Sequence, residues 1–334
     1  MCKQFSFLFC ICLICSNQTL FAQKLIALHH GGTASFYTTL PDAYNAAMNG
    51  DTIYLPGGSF GGITLQKSLT LIGVGHHPDS TSATGQTVLT SSLYIYTGSD
   101  NSIISGIWFN SNIYSDGNVS NITIYRCHLQ NGIYFNNGTR TNWIISENYI
   151  GIYSSSAFYS IYQPAGSSSN FLLTNNVIAK RMQGINSSEI SNNIILDNDL
   201  LSATNSLIRN NVFGSNVEGY TSNSQWYNNL NAGINGGPGG NGNTGSGNYL
   251  DNTPYTSVFT NYNTNNTFYQ NDFHVVNLAY LGHDGTPVGI YGGAFPWKEG
   301  SLPSNPHIRA KTINSTTNPD GTLHINVTVK AQGN

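Results

Sequence analysis

One short phrase recurs along this chain. It reads "ISGIWF" (104–109), "IYRCHL" (124–129), "ISENYI" (145–150), "LTNNVI" (173–178), "ISNNII" (190–195), "IRNNVF" (208–213) and "WYNNLN" (226–231). Aligned on the fourth position, Ile107, Cys127, Asn148, Asn176, Asn193, Asn211 and Asn229 fall at intervals of 20, 21, 28, 17, 18 and 18 residues. A unit of about twenty residues cannot bury its own apolar face, so successive units must stack. None contains a helix-length amphipathic stretch, which excludes helical repeats. The fixed Leu offsets of a leucine-rich repeat are absent from the frame. A coil of short parallel strands remains, each strand pairing with the turns above and below at about 4.8 Å.

Within a turn, Ile190 and Ile195 are both apolar yet an odd number apart. Strict alternation cannot bury both, so the chain must bend between them, where the asparagines sit. Asn tolerates the left-handed conformation of a sharp bend. Stacked one strand apart, its amides can hydrogen-bond along a ladder. Asn148, Asn176, Asn193, Asn211 and Asn229 are therefore expected to form a structural ladder.

The flanks complete an all-β solenoid. Residues 1–22 carry Lys3, an apolar run from Phe5 to Ile14 and then a polar patch leading to Phe21-Ala22, after which cleavage is expected, the plan of a secretory signal. That run is too short to span a bilayer. The protein is expected to be secreted, or held in the periplasm or at the cell surface, with residues 23–300 forming one domain. In "TTLPDAYNAAMNGDTIYL" (38–55), Pro41 in a first turn and Gly50 as a stop predict a short helix capping the open end of the coil. Residues 301–334 read as a linker with Pro303 and Pro306, then an alternating strand, "GTLHINVTVKA" (321–331), serving as a cap or appended hairpin.

Four of the five cysteines lie in the signal, leaving Cys127 without a disulfide partner and suited to a buried apolar role. Charged residues are 8% of the chain, so the basic footprint of a nucleic-acid binder is missing. No lysine-rich membrane-surface helix is present either. A monomer is expected.

The stretches "LPDAYNAAMNGDTIYLPGGSFGGITLQKSLTLIGVG" (40–75) and "DFHVVNLAYLGHDGTPVGIYGG" (272–293), with the asparagine-bearing turns, resemble right-handed parallel β-helix proteins of the pectin-lyase-like superfamily over roughly residues 25–300. The tail "FPWKEGSLPSNPHI" and a signal ending in Ala-Gln look like secreted Bacteroidetes-type members. The resemblance implies the fold and, for members with activity, polysaccharide chemistry. It does not fix function, because the fold hosts lyases, hydrolases, isomerases and binders. The polygalacturonase-like motifs are absent from the sequence, as is any carboxylate cluster at calcium-binding spacing.

Two readings follow. The first is a non-catalytic protein contacting a polysaccharide or cell-surface glycan. Its side chains are tyrosines near the insertion that breaks the period at 151–169, namely Tyr153, Tyr159 and Tyr162. The second is a lyase cleaving uronate-containing glycans by β-elimination. Lys180 would be the base, Arg181 would neutralise the substrate carboxylate and Asp197 would tune the lysine. No cofactor is expected, except calcium under the lyase reading. Arg126, Arg140 and His128 form a weaker alternative cluster. The register also predicts two outward ion pairs between turns, Lys180–Asp197 and Arg126–Glu147. The pairs His29-His30 and His76-His77 lack a third ligand at recognisable spacing and are not read as a metal site.

Overall fold

The computed structural model describes residues 24–151, 159–164, 167–196, 201–214, 221–232, 241–251, 253–263 and 268–332. It is a right-handed parallel β-helix of about 8 turns. Three long sheets run the length of the coil, with 12, 10 and 8 strands among the described residues. One turn shows the plan: Thr123–Tyr125 in the first sheet, His128–Leu129 in the second and Ile133–Phe135 in the third.

Register explains the apolar frame. In the first sheet Ile53, Leu71, Ile104, Ile124, Ile145, Leu173, Ile190, Ile208 and Trp226 are consecutive cross-strand neighbours. All are buried. Burying each such side chain stabilises the fold by roughly 1.5–3 kcal/mol. A slip of one residue would turn the whole column outward.

The paired asparagines divide the labour of the bend. The first of each pair takes the left-handed conformation, with φ of 54° at Asn175, 55° at Asn192, 58° at Asn210 and 52° at Asn228. Arg126 and Glu147 occupy the same place at 51° and 53°. The second asparagine points inward. Asn148 Nδ2 donates to Asn176 Oδ1, and the chain continues through Asn193, Asn211 and Asn229 to Asn248, each link at 3.0 Å. Every acceptor oxygen also receives the backbone N–H of the preceding asparagine at 2.9–3.0 Å. Asn148 Oδ1 receives the N–H of Cys127, so the column runs on into the turn where cysteine replaces asparagine. Buried amides demand such partners, and the stack supplies them.

The first asparagines hold something else. Asn228 Nδ2 donates to the Leu281 carbonyl, Asn210 Oδ1 accepts from the His283 N–H, and Asn175 Nδ2 donates to the Ile290 and Gly292 carbonyls. Residues 281–292 thus form a strap crossing four turns at the bend. Beneath and beside it, outward residues of the second sheet (Tyr149, Val177, Ile194, Val212, Leu230) pack against Phe259, Phe268, Phe273, Ile290 and Trp297 as a second apolar cluster.

The N-terminal helix spans Leu40–Ala46, with Thr39 accepting the Asp42 N–H and Pro41 in the first turn. Lys67 Nζ donates to the carbonyls of Tyr44, Asn45 and Ala47 at its far end. Helix-end carbonyls run short of backbone partners, with only Tyr44 among these three accepting a helix-end N–H, that of Ala47, so the lysine closes the end. At the other end of the chain, His307–Ile313 and Ile325–Lys330 pair as an exposed antiparallel hairpin.

The outward Arg126–Glu147 pair expected from the register is corrected. Arg126 is buried, its Nε donates to Glu147 Oε2 at 3.0 Å, and its Nη1 donates to the Leu302 and Gln332 carbonyls. The C-terminal segment covers the pair, a fact that strand spacing alone does not encode. No described helix is long and apolar enough to cross a membrane. The signal segment lies outside the described residues.

Candidate functional site

Along the outer face of the third sheet runs a column of tyrosines. Thr64, Tyr94, Tyr114, Tyr134 and Tyr162 are successive cross-strand neighbours, and Gln183 follows. Strand alternation sets this up. Leu93, Ile113, Ile133 and Ile161 point into the coil, so the next residue in each strand must point out. Ring centroids lie 5.3 Å apart for Tyr94–Tyr114, 5.6 Å for Tyr114–Tyr134 and 6.0 Å for Tyr134–Tyr162. Three steps of the coil make the stripe about 15 Å long.

At its far end the strand Tyr159–Tyr162 carries a bulge between Tyr159 and Ile161. The bulge re-aims a side chain. It leaves Tyr159 stacked on Tyr162 at 4.1 Å and 18°. The extra residue, Ser160, is buried. Its Oγ donates to the Ile150 carbonyl and accepts the Lys180 N–H at 2.9 Å. Arg181 is the cross-strand neighbour of Tyr159. The fold therefore brings together Tyr159, Tyr162, Lys180 and Arg181, four residues singled out in the sequence, beside the insertion that breaks the period. Tyr153 and Asp197 lie outside the described residues, and with Asp197 the expected Lys180–Asp197 pair.

The phenols are hydrogen-bonding groups in their neutral form. Burial, and then the neighbouring Tyr114, Tyr159 and Tyr162, hold the Tyr134 hydroxyl above the ordinary phenol value. Tyr134 donates to the Tyr159 carbonyl, and Asn112 Nδ2 donates to the Tyr114 hydroxyl. Stacking turns the Tyr94 and Tyr114 faces toward one another, so the outward surface offers ring edges and hydroxyls. Among the described strand residues of this sheet, Asp116 is the one carboxylate. Among those described strand residues, two carboxyls on one face, the minimum for glycoside hydrolysis, are not assembled.

Other sequence candidates fall elsewhere. Arg140 is buried and donates to the carbonyls of Ser115, Asn136, Asn137 and Gly138, closing a turn. His128 is buried in the second sheet, its Nδ1 2.7 Å from the Tyr269 hydroxyl, with burial pushing its pKa down to about 3. His76 Nδ1 meets the same hydroxyl at 3.1 Å. The alternative cluster of Arg126, Arg140 and His128 is thus dispersed and enclosed. Tyr149, which directly precedes the insertion's strand end at Ile150, is buried against Phe268 and Trp297. Among the described residues, no three His, Cys, Asp or Glu side chains gather to hold a metal ion. Sequence reading missed the stripe because its members lie 20, 20 and 28 residues apart and only register aligns them.

The coordinates define a parallel β-helix. No protein-family model matches the chain, and no curated protein matches it. One solved structure similar to it is a mutant of AlyGC, an alginate lyase of family PL6. The two are 18% identical, with a TM-score of 0.33, over 64% of this chain. The match spans 39% of the lyase structure's length.

Proposed function

We propose that this is a secreted, non-catalytic β-helix protein that holds a polysaccharide along the tyrosine stripe of its third sheet. The observation carrying this reading is the unbroken column Tyr94, Tyr114, Tyr134 and Tyr162, ending beside Lys180 and Arg181. An extended polymer laid parallel to the coil axis meets one phenol per turn. Each phenol offers an apolar edge and a hydroxyl that can donate or accept. The basic pair gives an acidic glycan an anchor at one end.

The test is affinity electrophoresis against a polysaccharide panel with parent protein, Tyr114→Ala and Tyr134→Ala. Each substitution is expected to weaken retention about tenfold, equivalent to about 1.4 kcal/mol. Retention by no polysaccharide, or equal retention of the variants, overturns the reading. A second reading is favoured by the placement of Lys180 and Arg181 next to Tyr159 and the insertion: β-elimination on a uronate-containing glycan. It predicts a rise in ultraviolet absorbance from unsaturated uronate that Lys180→Ala abolishes. A flat trace with bound polymer supports the binding reading.

A further inference from the structure

The outer face of the first sheet, away from the tyrosine stripe, carries a hollow of a different character. Residues 293–295 overhang it, and Phe295 projects with 47% of its surface exposed. The hollow has two lobes. One, of about 350 Å³, is lined by Glu189, Arg209 and Asp284 together with Leu172, Thr174 and Phe295. The other, of about 200 Å³, adds Tyr125 and Ile144 to the same Leu172, Thr174 and Phe295. Sharing three lining residues makes them one bent cavity, with Glu189, Arg209 and Asp284 at one end and mostly apolar surface at the other, where the one charged lining residue, Glu147, is paired with Arg126. Its size lies at the lower end of the range for small-ligand sites, roughly 300–1,000 Å³.

Register builds the charged lobe. Leu172 and Glu189 are cross-strand neighbours, as are Ser191 and Arg209. Arg209 therefore reaches diagonally back, and both its Nε (3.1 Å) and its Nη2 (2.8 Å) donate to Glu189 Oε1. This fork consumes one carboxylate oxygen and leaves Glu189 Oε2 and Arg209 Nη1 without a hydrogen bond among the described residues. Asp284 is fixed by Thr286, whose N–H and Oγ1 both donate to Oδ1, leaving Oδ2 likewise open. The lobe thus holds two carboxylate oxygens and the guanidinium Nη1 with its two N–H groups. With two acids against one base, the excess charge is negative.

We infer that this cavity binds a primary ammonium carried next to an apolar side chain and a carbonyl oxygen, the chemistry of a peptide N-terminus or an apolar amino-acid amide. The ammonium lies between Glu189 and Asp284, the carbonyl accepts from Arg209, and the side chain fills the lobe between Ile144, Leu172 and Phe295. A free amino acid adds a carboxylate beside Glu189 and binds more weakly.

The experiment is isothermal titration of the whole mature protein with phenylalanine amide, its N-acetyl derivative, phenylalanine and a Phe-Gly-Gly peptide. Phenylalanine amide is expected to bind with a Kd below about 1 mM, and N-acetylation to weaken it at least about tenfold. Asp284→Asn and Phe295→Ala are each expected to weaken it about tenfold, while polysaccharide retention on the tyrosine stripe stays unchanged. Tighter binding of the tripeptide identifies a chain terminus as the natural ligand, and equal binding identifies a small amine. Absence of saturable binding by the amide, equal binding of its N-acetyl form, or indifference to both substitutions overturns the proposal. Both sites of substitution are solvent-accessible, so the variants fold, as near-parental circular dichroism and melting will show.

Discussion

Replacing Asn193 with leucine tests whether the inward amides hold the coil together. The two side chains are similar in size, so the change removes hydrogen bonds without opening a cavity. Asn193 Oδ1 accepts both the backbone N–H and the Nδ2 of Asn176, and its own Nδ2 donates to the Leu173 and Ser191 carbonyls. In the variant the Asn176 N–H is stranded in a buried bend, which costs about 1–3 kcal/mol. Lost bonds to the flanking carbonyls add about 1 kcal/mol, partly offset by the apolar side chain, giving roughly 2–4 kcal/mol in all. For a chain of this size that corresponds to a melting shift of about 3–6 °C. Urea denaturation followed by far-ultraviolet circular dichroism measures it, with Asn248→Leu as the comparison. Asn248 Oδ1 accepts the matching two bonds from Asn229 at the end of the column, but the residue is half-buried, so water can replace them and the loss should stay below about 1 kcal/mol. Equal stability of the Asn193 variant and the parent would refute the claim that the column is stabilising.

Three further outcomes follow from groups buried elsewhere. Burial holds His76 and His128 neutral, below the ordinary histidine value, so the unfolded chain binds more protons than the folded one as pH falls from about 6.5 toward 3. Stability is therefore full above pH 6.5 and declines below it by up to about 1.4 kcal/mol per pH unit per histidine. His128→Gln should flatten the slope of denaturation free energy against pH, and an unchanged slope would sink the assignment. Burial also pushes the Cys127 thiol up to about 12, so a thiol reagent should modify it only at the rate of global opening, and rapid labelling of native protein would contradict its enclosure. Asn210→Ala removes the acceptor of the His283 N–H. Hydrogen exchange should accelerate in the strap while the inward column stays protected, and uniform acceleration would show that the two are not separable.

The coil was legible because its signal is local and repeated: apolar ends, an asparagine bend and a period near twenty. So was the helix at Leu40–Ala46, since Pro41 and Gly50 mark its ends in sequence. What the sequence hid depends on contacts between distant residues. Arg126 and Glu147 look like surface charges until a segment 176 residues further on, at Leu302, covers them. The two asparagines of each pair look equivalent, and only backbone conformation separates the inward amide from the one that grips the strap. The tyrosine column is invisible in any one turn, because a single outward Tyr has no periodic partner nearby. Tyr159 and Tyr162 were identifiable by their position beside an insertion, whereas Tyr94, Tyr114 and Tyr134 required the register.

Solenoids commonly gain or lose turns by duplication, since each contacts only its neighbours. The strap changes that arithmetic here. Its carbonyls and N–H groups at Leu281, His283, Ile290 and Gly292 meet asparagines from three separate turns. A segment of fixed length thus measures the coil against itself. Inserting or deleting one turn between Asn175 and Asn228 would put every later grip out of step by about 4.8 Å. The strap works as a ruler, and this stretch of the repeat can vary in residue identity but not in number.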